Sequence, residues 1–181
     1  FPGPAAFCGM IHIEEIGLPA EAIREAGITS CVLERPELPK KDDISHKTNN
    51  GKLLSVVGSR PYQGAATLSL LSSLSSGCGL VTGVIPDTIY NAVAAKVTGA
   101  ILLDLPSAAS GGIDAHAFRD GFDDLLDRHP TAILAGSGAG VSVDTGRIIG
   151  MILKTNLPVV IDGDGLRYVK NKVPRSSDTI L

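Results

Sequence analysis

Between residues 52 and 161 the chain alternates continuously apolar runs with stretches whose apolar residues recur every three or four positions, and few folds accommodate that rhythm. The runs cover residues 52–57, 80–85, 100–103, 131–135 and 157–161. The stretches between them place Ile89, Val93 and Val97, then Phe118, Phe122, Leu125 and Leu126, then Ile148, Ile149, Ile152 and Leu153, on single helical faces. A run that is apolar throughout is a strand buried on both faces. Strands in strict turn with helices form an α/β fold: a doubly wound, mainly parallel sheet with right-handed crossovers and helices on both faces.

The stretch 45–86 reads as one complete strand–helix–strand unit, with a helix over 65–76 stopped at Gly77-Cys78-Gly79. Three glycine-bearing loops then fall at strand carboxyl ends: 58–64, 136–140 and 162–165. Ligands of open α/β sheets bind along that edge, so these loops are expected to line one cleft, although any one of them alone reads equally well as a turn. Gly136-Ser137-Gly138-Ala139-Gly140 is not a dinucleotide fingerprint, because Val141 occupies the last glycine position and several strands precede it. Asp162-Gly163-Asp164-Gly165 offers paired carboxylates to a hard cation, but a turn with an aspartate capping the next helix is the preferred reading. Cys78 reads as a small core residue behind a helix stop. His12, His46, His116 and His129 lack metal-ligand spacing, and no Ser/His/Asp set stands out.

Composition removes several classes of function. The chain has a net charge of -3, 4% aromatic residues and no Lys/Arg cluster, which leaves nucleic acid neither an electrostatic footprint nor a stacking surface. No run approaches the roughly 18 apolar residues of a membrane span. Three cysteines without CxxC spacing favour a reducing compartment, so the expected location is cytoplasmic.

Residues 1–40 differ in kind: 10–13 alternates like a strand, 20–26 forms one or two helical turns and 30–33 a further short strand. The segment ERPELPKKDD that follows suits a linker, or a surface loop within one domain. Phe1 opens the chain without an initiator Met and the final residues read as the start of another strand, so the expectation is a piece of a longer protein.

Taken together, His46-Lys47, the run from Gly58-Ser59 to Tyr62-Gln63-Gly64-Ala65-Ala66, and Gly77-Cys78-Gly79-Leu80-Val81 resemble the opening of the ADP/ATP-dependent NAD(P)H-hydrate dehydratases. That family has HKG, GS…Y.GA and G.G.V in this order. Residues 136–140 are similar to its GPGLG and 162–166 to its DADAL, with Ser137 for proline, Ala139 for leucine, Gly163 and Gly165 for alanine and Thr48 for glycine. Met10–Pro19 resembles the exit of the epimerase domain fused ahead of the dehydratase in many microbial proteins.

The resemblance implies a ribokinase-like sheet, incomplete in this chain, and a division into 1–33 as an epimerase tail, 34–44 as linker and 45–181 as the first part of a dehydratase domain. It implies nucleotide-dependent dehydration of the S-epimer of NADHX or NADPHX, with ADP or ATP and Mg2+, in a possible homo-oligomer. Ala65 and Gly138 would contact the hydrate, with Gly64, Gly136, Gly140 and Asp164 around them. It supplies no catalytic residue and no metal ligand here: the catalytic aspartate of a GxGD motif is expected further along, so the chain alone is expected to be inactive. Beside it stand a hydroxyethylthiazole-type small-molecule kinase and a non-catalytic α/β binding module.

Overall fold

The computed structural model describes residues 16–27, 50–169 and 179–180, with isolated positions 7, 9, 12 and 14. The chain divides into two compact units, Phe1–Pro39 and Lys40–Leu181. In the first, Pro19 precedes helix α1 (Ala20–Glu25), whose Glu21 and Arg24 form an exposed ion pair at 2.7 Å. The strands read at 10–13 and 30–33 and the linker at 34–44 lie outside the described residues.

The second unit is an all-parallel sheet. Its strands are β1 (Lys52–Val56), β2 (Leu80–Pro86), β3 (Ile101–Leu105), β4 (Ala132–Ala135), β5 (Val159–Ile161) and β6 (Thr179–Ile180), in the spatial order β3-β2-β1-β4-β5-β6. All five expected strands are present, displaced by no more than two residues at either end. The helices are α2 (Gln63–Ser75), α3 (Tyr90–Ala94), α4 (Ala115–Leu126) and α5 (Val143–Ile152). The helix expected over 87–96 is instead a 3-10 turn, Asp87–Ile89, running into the short α3.

Because both faces of the sheet are apolar, it carries two cores. On one face Leu54 and Val56 of β1 join Phe118 and Leu125 of α4 and Ile148, Ile149 and Ile152 of α5. On the other, Val57, Val81 and Ile85 meet Ala66 and Leu70 of α2 and Val93 of α3. Fully burying one such aliphatic side chain contributes about 1.5–3 kcal/mol, so the alternation of these residues along each strand fixes its register.

α2 is weakly amphipathic and buries Thr67 and Ser73 as well as Leu70. It tolerates them because each hydroxyl donates to the carbonyl one turn back, Thr67 to Gln63 at 3.1 Å and Ser73 to Ser69 at 2.7 Å. Gly77 ends the helix as expected, and Cys78 packs partly buried against the α2 core. α4 and α5 have side-chain caps: Asp114 accepts from the His116 and Ala117 N–H groups, and Ser142 accepts from Thr145 N–H. Among the described residues no helix is long and apolar enough to cross a membrane.

Candidate functional site

β1 is the centre of the sheet, and the chain leaves it in two directions. From β1 the connection runs through α2 to β2 on one side; the strand on its other side, β4, arrives only after β3 and α4. At the carboxyl ends of β1 and β4 the loops therefore diverge, which is where an open α/β sheet leaves a crevice. Residues 58–64 and 136–140 occupy those two ends.

The two loops are bonded to each other. Gly58 N–H donates to Ser137 O at 2.9 Å, Gly136 N–H donates to Val56 O at 3.2 Å, and the buried Ser59 hydroxyl donates to Gly138 O at 2.7 Å. Gly138, at φ +62°, turns its side-chain direction straight onto loop 58–64: a Cβ there would lie 2.6 Å from Ala65 Cβ and 2.9 Å from Tyr62 Cβ. Ala65 and Gly138 thus lie side by side where the two loops meet. A bulkier residue at Gly138 would push the loops apart rather than extend into open space.

The third loop is tied in as well, by its two carboxylates. Asp162 Oδ2 accepts from the Ser137 hydroxyl at 2.8 Å, and Asp164 Oδ2 accepts from Gly140 N–H at 2.9 Å. The aspartate cap expected at this turn is not made: Asp162 precedes the 3-10 helix Gly163–Tyr168 without any side-chain cap bond. Its carboxylate reaches sideways to the neighbouring strand's loop instead. Ser137, where the resembled motif has proline, supplies the hydroxyl that makes this possible.

A fourth loop, 106–113, joins them. It crosses from β3 to the same edge, where its Gly111 carbonyl accepts from Arg60 N–H at 2.8 Å. Gly112 lies so close to the β4 loop that a Cβ would sit 2.8 Å from Ala139 O. The Ser-Gly-Gly run at 110–112 was the available signal, since paired glycines mark close backbone approach.

Beneath the loops lies a narrow pocket lined by Val56, Val57, Gly58, Ile113, Ala139 and Ile148, with Thr145 its one hydroxyl. Thr145 also contributes to the knitting, donating to Ala139 O at 3.3 Å. At the rim the Asp114 carboxyl is held below its ordinary value, chiefly by the hydrogen bond from Ala117 N–H, with the N–H of His116 adding to it and burial opposing. Among the described residues no three His, Cys, Asp or Glu side chains converge as metal ligands. Asp162 and Asp164 each commit one carboxylate oxygen to a neighbouring loop. The edge is built from backbone and small side chains.

The comparisons point in one direction. A family profile described as NAD(P)H-hydrate dehydratase matches residues 53–181. A bifunctional NAD(P)H-hydrate repair enzyme of Moorella thermoacetica is 29% identical over 172 residues, covering 91% of this chain and 32% of that protein. This chain spans about a third of the length of the curated relatives first matched, 32% and 33%. Among solved structures, a ribokinase-like superfamily protein from Enterococcus faecalis superposes with a TM-score of 0.61 at 20% identity, over 78% of this chain and 48% of that one. The ADP/ATP-dependent NAD(P)H-hydrate dehydratase of Bacillus subtilis, co-crystallised with ATP and Mg2+, superposes with a TM-score of 0.57 at 23% identity, over 71% and 43%. These likenesses establish a ribokinase-like fold.

Proposed function

The chain belongs to the NAD(P)H-hydrate dehydratase family, and from that premise we propose that the whole protein repairs hydrated nicotinamide coenzymes, returning the S-epimer of NADHX or NADPHX to NADH or NADPH. The observation that carries this reading is the family match over 53–181, which takes in all four loops of the knitted edge. The hydroxyl on C6 of the hydrated ring is a poor leaving group. Transfer of a phosphoryl group from ADP or ATP to that oxygen makes it a good one. The C–O bond then breaks with loss of the C5 proton, and the products are the reduced coenzyme, orthophosphate and AMP or ADP.

In this reading the described residues hold substrate and carry no chemical step. Ala65 and Gly138 bring the two central loops together against the hydrate, with Gly64, Gly136, Gly140 and Asp164 setting their backbone course. We assign 1–33 to the tail of an epimerase-like domain, 34–44 to a linker and 45–181 to the dehydratase domain, in a cytoplasmic and homo-oligomeric protein. The nucleotide and magnesium are assigned to residues other than these. The test is to incubate the purified whole protein with NADHX and follow the reduced-nicotinamide absorbance. It should return only when ADP or ATP is present with magnesium, and no return with either nucleotide would refute the proposal.

A further inference from the structure

At the knitted edge most polar side chains are already engaged. Ser59 donates to Gly138, Ser137 to Asp162 and Thr145 to Ala139, while Asp164 accepts from Gly140. On loop 58–64 the polar side chains left facing solvent are those of Arg60, Tyr62 and Gln63, beside the exposed Pro61. Of these only Arg60 is charged, and among the described residues its guanidinium has neither a hydrogen bond nor an ion pair.

Its backbone is nevertheless among the most firmly placed on the edge. Arg60 N–H donates to Gly111 O at 2.8 Å, and Tyr62 N–H closes the turn onto Ser59 O at 2.9 Å. Gly111 packs so tightly that a Cβ there would lie 3.0 Å from Arg60 Cβ. A cation fixed at its root and free at its head, beside the switch point, is suited to a phosphate oxygen. Asp162 and Asp164 lie one loop further along the same edge, beyond residues 136–140, and an anionic ligand spanning this edge gains from a compensating positive charge.

We propose that Arg60 is a substrate-positioning residue that binds the diphosphate of the hydrated dinucleotide and so helps set affinity for it. This rests on the repair reading above. A phosphate on this arginine has two possible sources, the hydrate or the adenine nucleotide, and the proposal commits to the hydrate.

The experiment uses the whole protein carrying Arg60→Ala or Arg60→Lys, with Arg119→Ala on the exposed face of α4 as control. For Arg60→Ala we expect KM for NADHX to rise about tenfold, the scale of one charge-assisted hydrogen bond, with kcat and KM for the nucleotide unchanged. Arg60→Lys should recover part of the loss. The salt dependence of kcat/KM for the hydrate should flatten in Arg60→Ala. The thermal midpoint should move little, because the Arg60 side chain is exposed and pairs with no described residue. An unchanged KM for NADHX, or a rise confined to the nucleotide's KM, overturns the proposal. Equilibrium titration with NADHX separates this result from a failure of the repair reading. If the wild type binds but does not turn over, tenfold weaker binding by Arg60→Ala sustains the contact while the reaction falls, and equal binding sinks the contact.

Discussion

Replacing Gly136 by alanine tests whether the loops at the sheet edge are as tightly fitted as they look. Gly136 ends β4 at φ +105°, a conformation that L residues rarely adopt, and holding a side chain there costs about 1–3 kcal/mol. A Cβ would also lie 2.8 Å from Gly165 Cα and 2.9 Å from Gly165 N, with the Asp162 carbonyl closer still. Ordinary carbon contacts begin near ~3.5 Å, so the β4 and β5 loops must separate by most of an ångström. Every atom in the way is backbone and has no rotamer to escape into, and overpacking of this kind costs about 1–3 kcal/mol. The two effects together come to roughly 4 kcal/mol, a large part of the 5–15 kcal/mol that holds a typical domain folded. With a urea slope of about 2 kcal/mol/M the midpoint should fall by about 2 M, followed by far-ultraviolet circular dichroism. Gly64→Ala is the control: Gly64 lies in the first turn of α2 with nothing within 4 Å of a Cβ. That change should be neutral or stabilise by up to about 1 kcal/mol. If Gly136→Ala came within about 0.5 kcal/mol of the wild type, the close fit of the three loops would be wrong.

Other changes should raise stability or move with pH. Ser55, the fourth residue of β1, is 0% exposed and its hydroxyl has no partner among the described residues, so Ser55→Ala should stabilise by about 1 kcal/mol; a lower urea midpoint would contradict the idea that the hydroxyl is unpaired. His129 follows α4 at φ 54°, and His129→Gly should relieve about 1 kcal/mol of left-handed strain, read as a rise in thermal midpoint. The Asp114 carboxyl is lowered on folding, so its contribution is fully present above the unfolded-state value and is lost as pH falls through the folded one. The gap in urea midpoint between wild type and Asp114→Ala should hold through neutral pH and close in acid, and a gap that persists in strong acid would show that the carboxylate charge is irrelevant.

The strands were legible because burial on both faces leaves apolar runs that few polar residues interrupt, Ser55 and Thr82 among them, and residues 157–161 hold none. Helix bounds followed from the same faces of Phe118 and Ile148. α3 was read too long because Ile89, Val93 and Val97 keep helical spacing across a tight turn that sequence periodicity does not resolve. The loops were placed correctly at the carboxyl edge, yet their bonding was not foreseen. Ser59 and Gly138 are 79 positions apart, and Ser137 and Asp162 are 25 apart. Nothing local distinguishes a serine that ties two loops from one that faces water. Asp162 misled for the same reason, since an aspartate before a helical turn is an ordinary cap until a neighbouring strand presents a better donor.

The position of β1 has a consequence for synthesis. β1, β2 and β3 come from one contiguous stretch and can pair as soon as they emerge, so half of the sheet forms first. In that half-sheet β1 is an edge: its backbone groups that will pair with β4 stay open until residues 132–135 are made, and the face carrying Leu54 and Val56 is not closed until α5 joins α4. At the usual rate of about 5–20 residues/s the stretch from Leu105 to Ala135 takes roughly 1.5–6 s to make. Throughout that time, the future centre of the protein is an open β edge beside a bare apolar face, and it is the surface a nascent-chain chaperone would meet first.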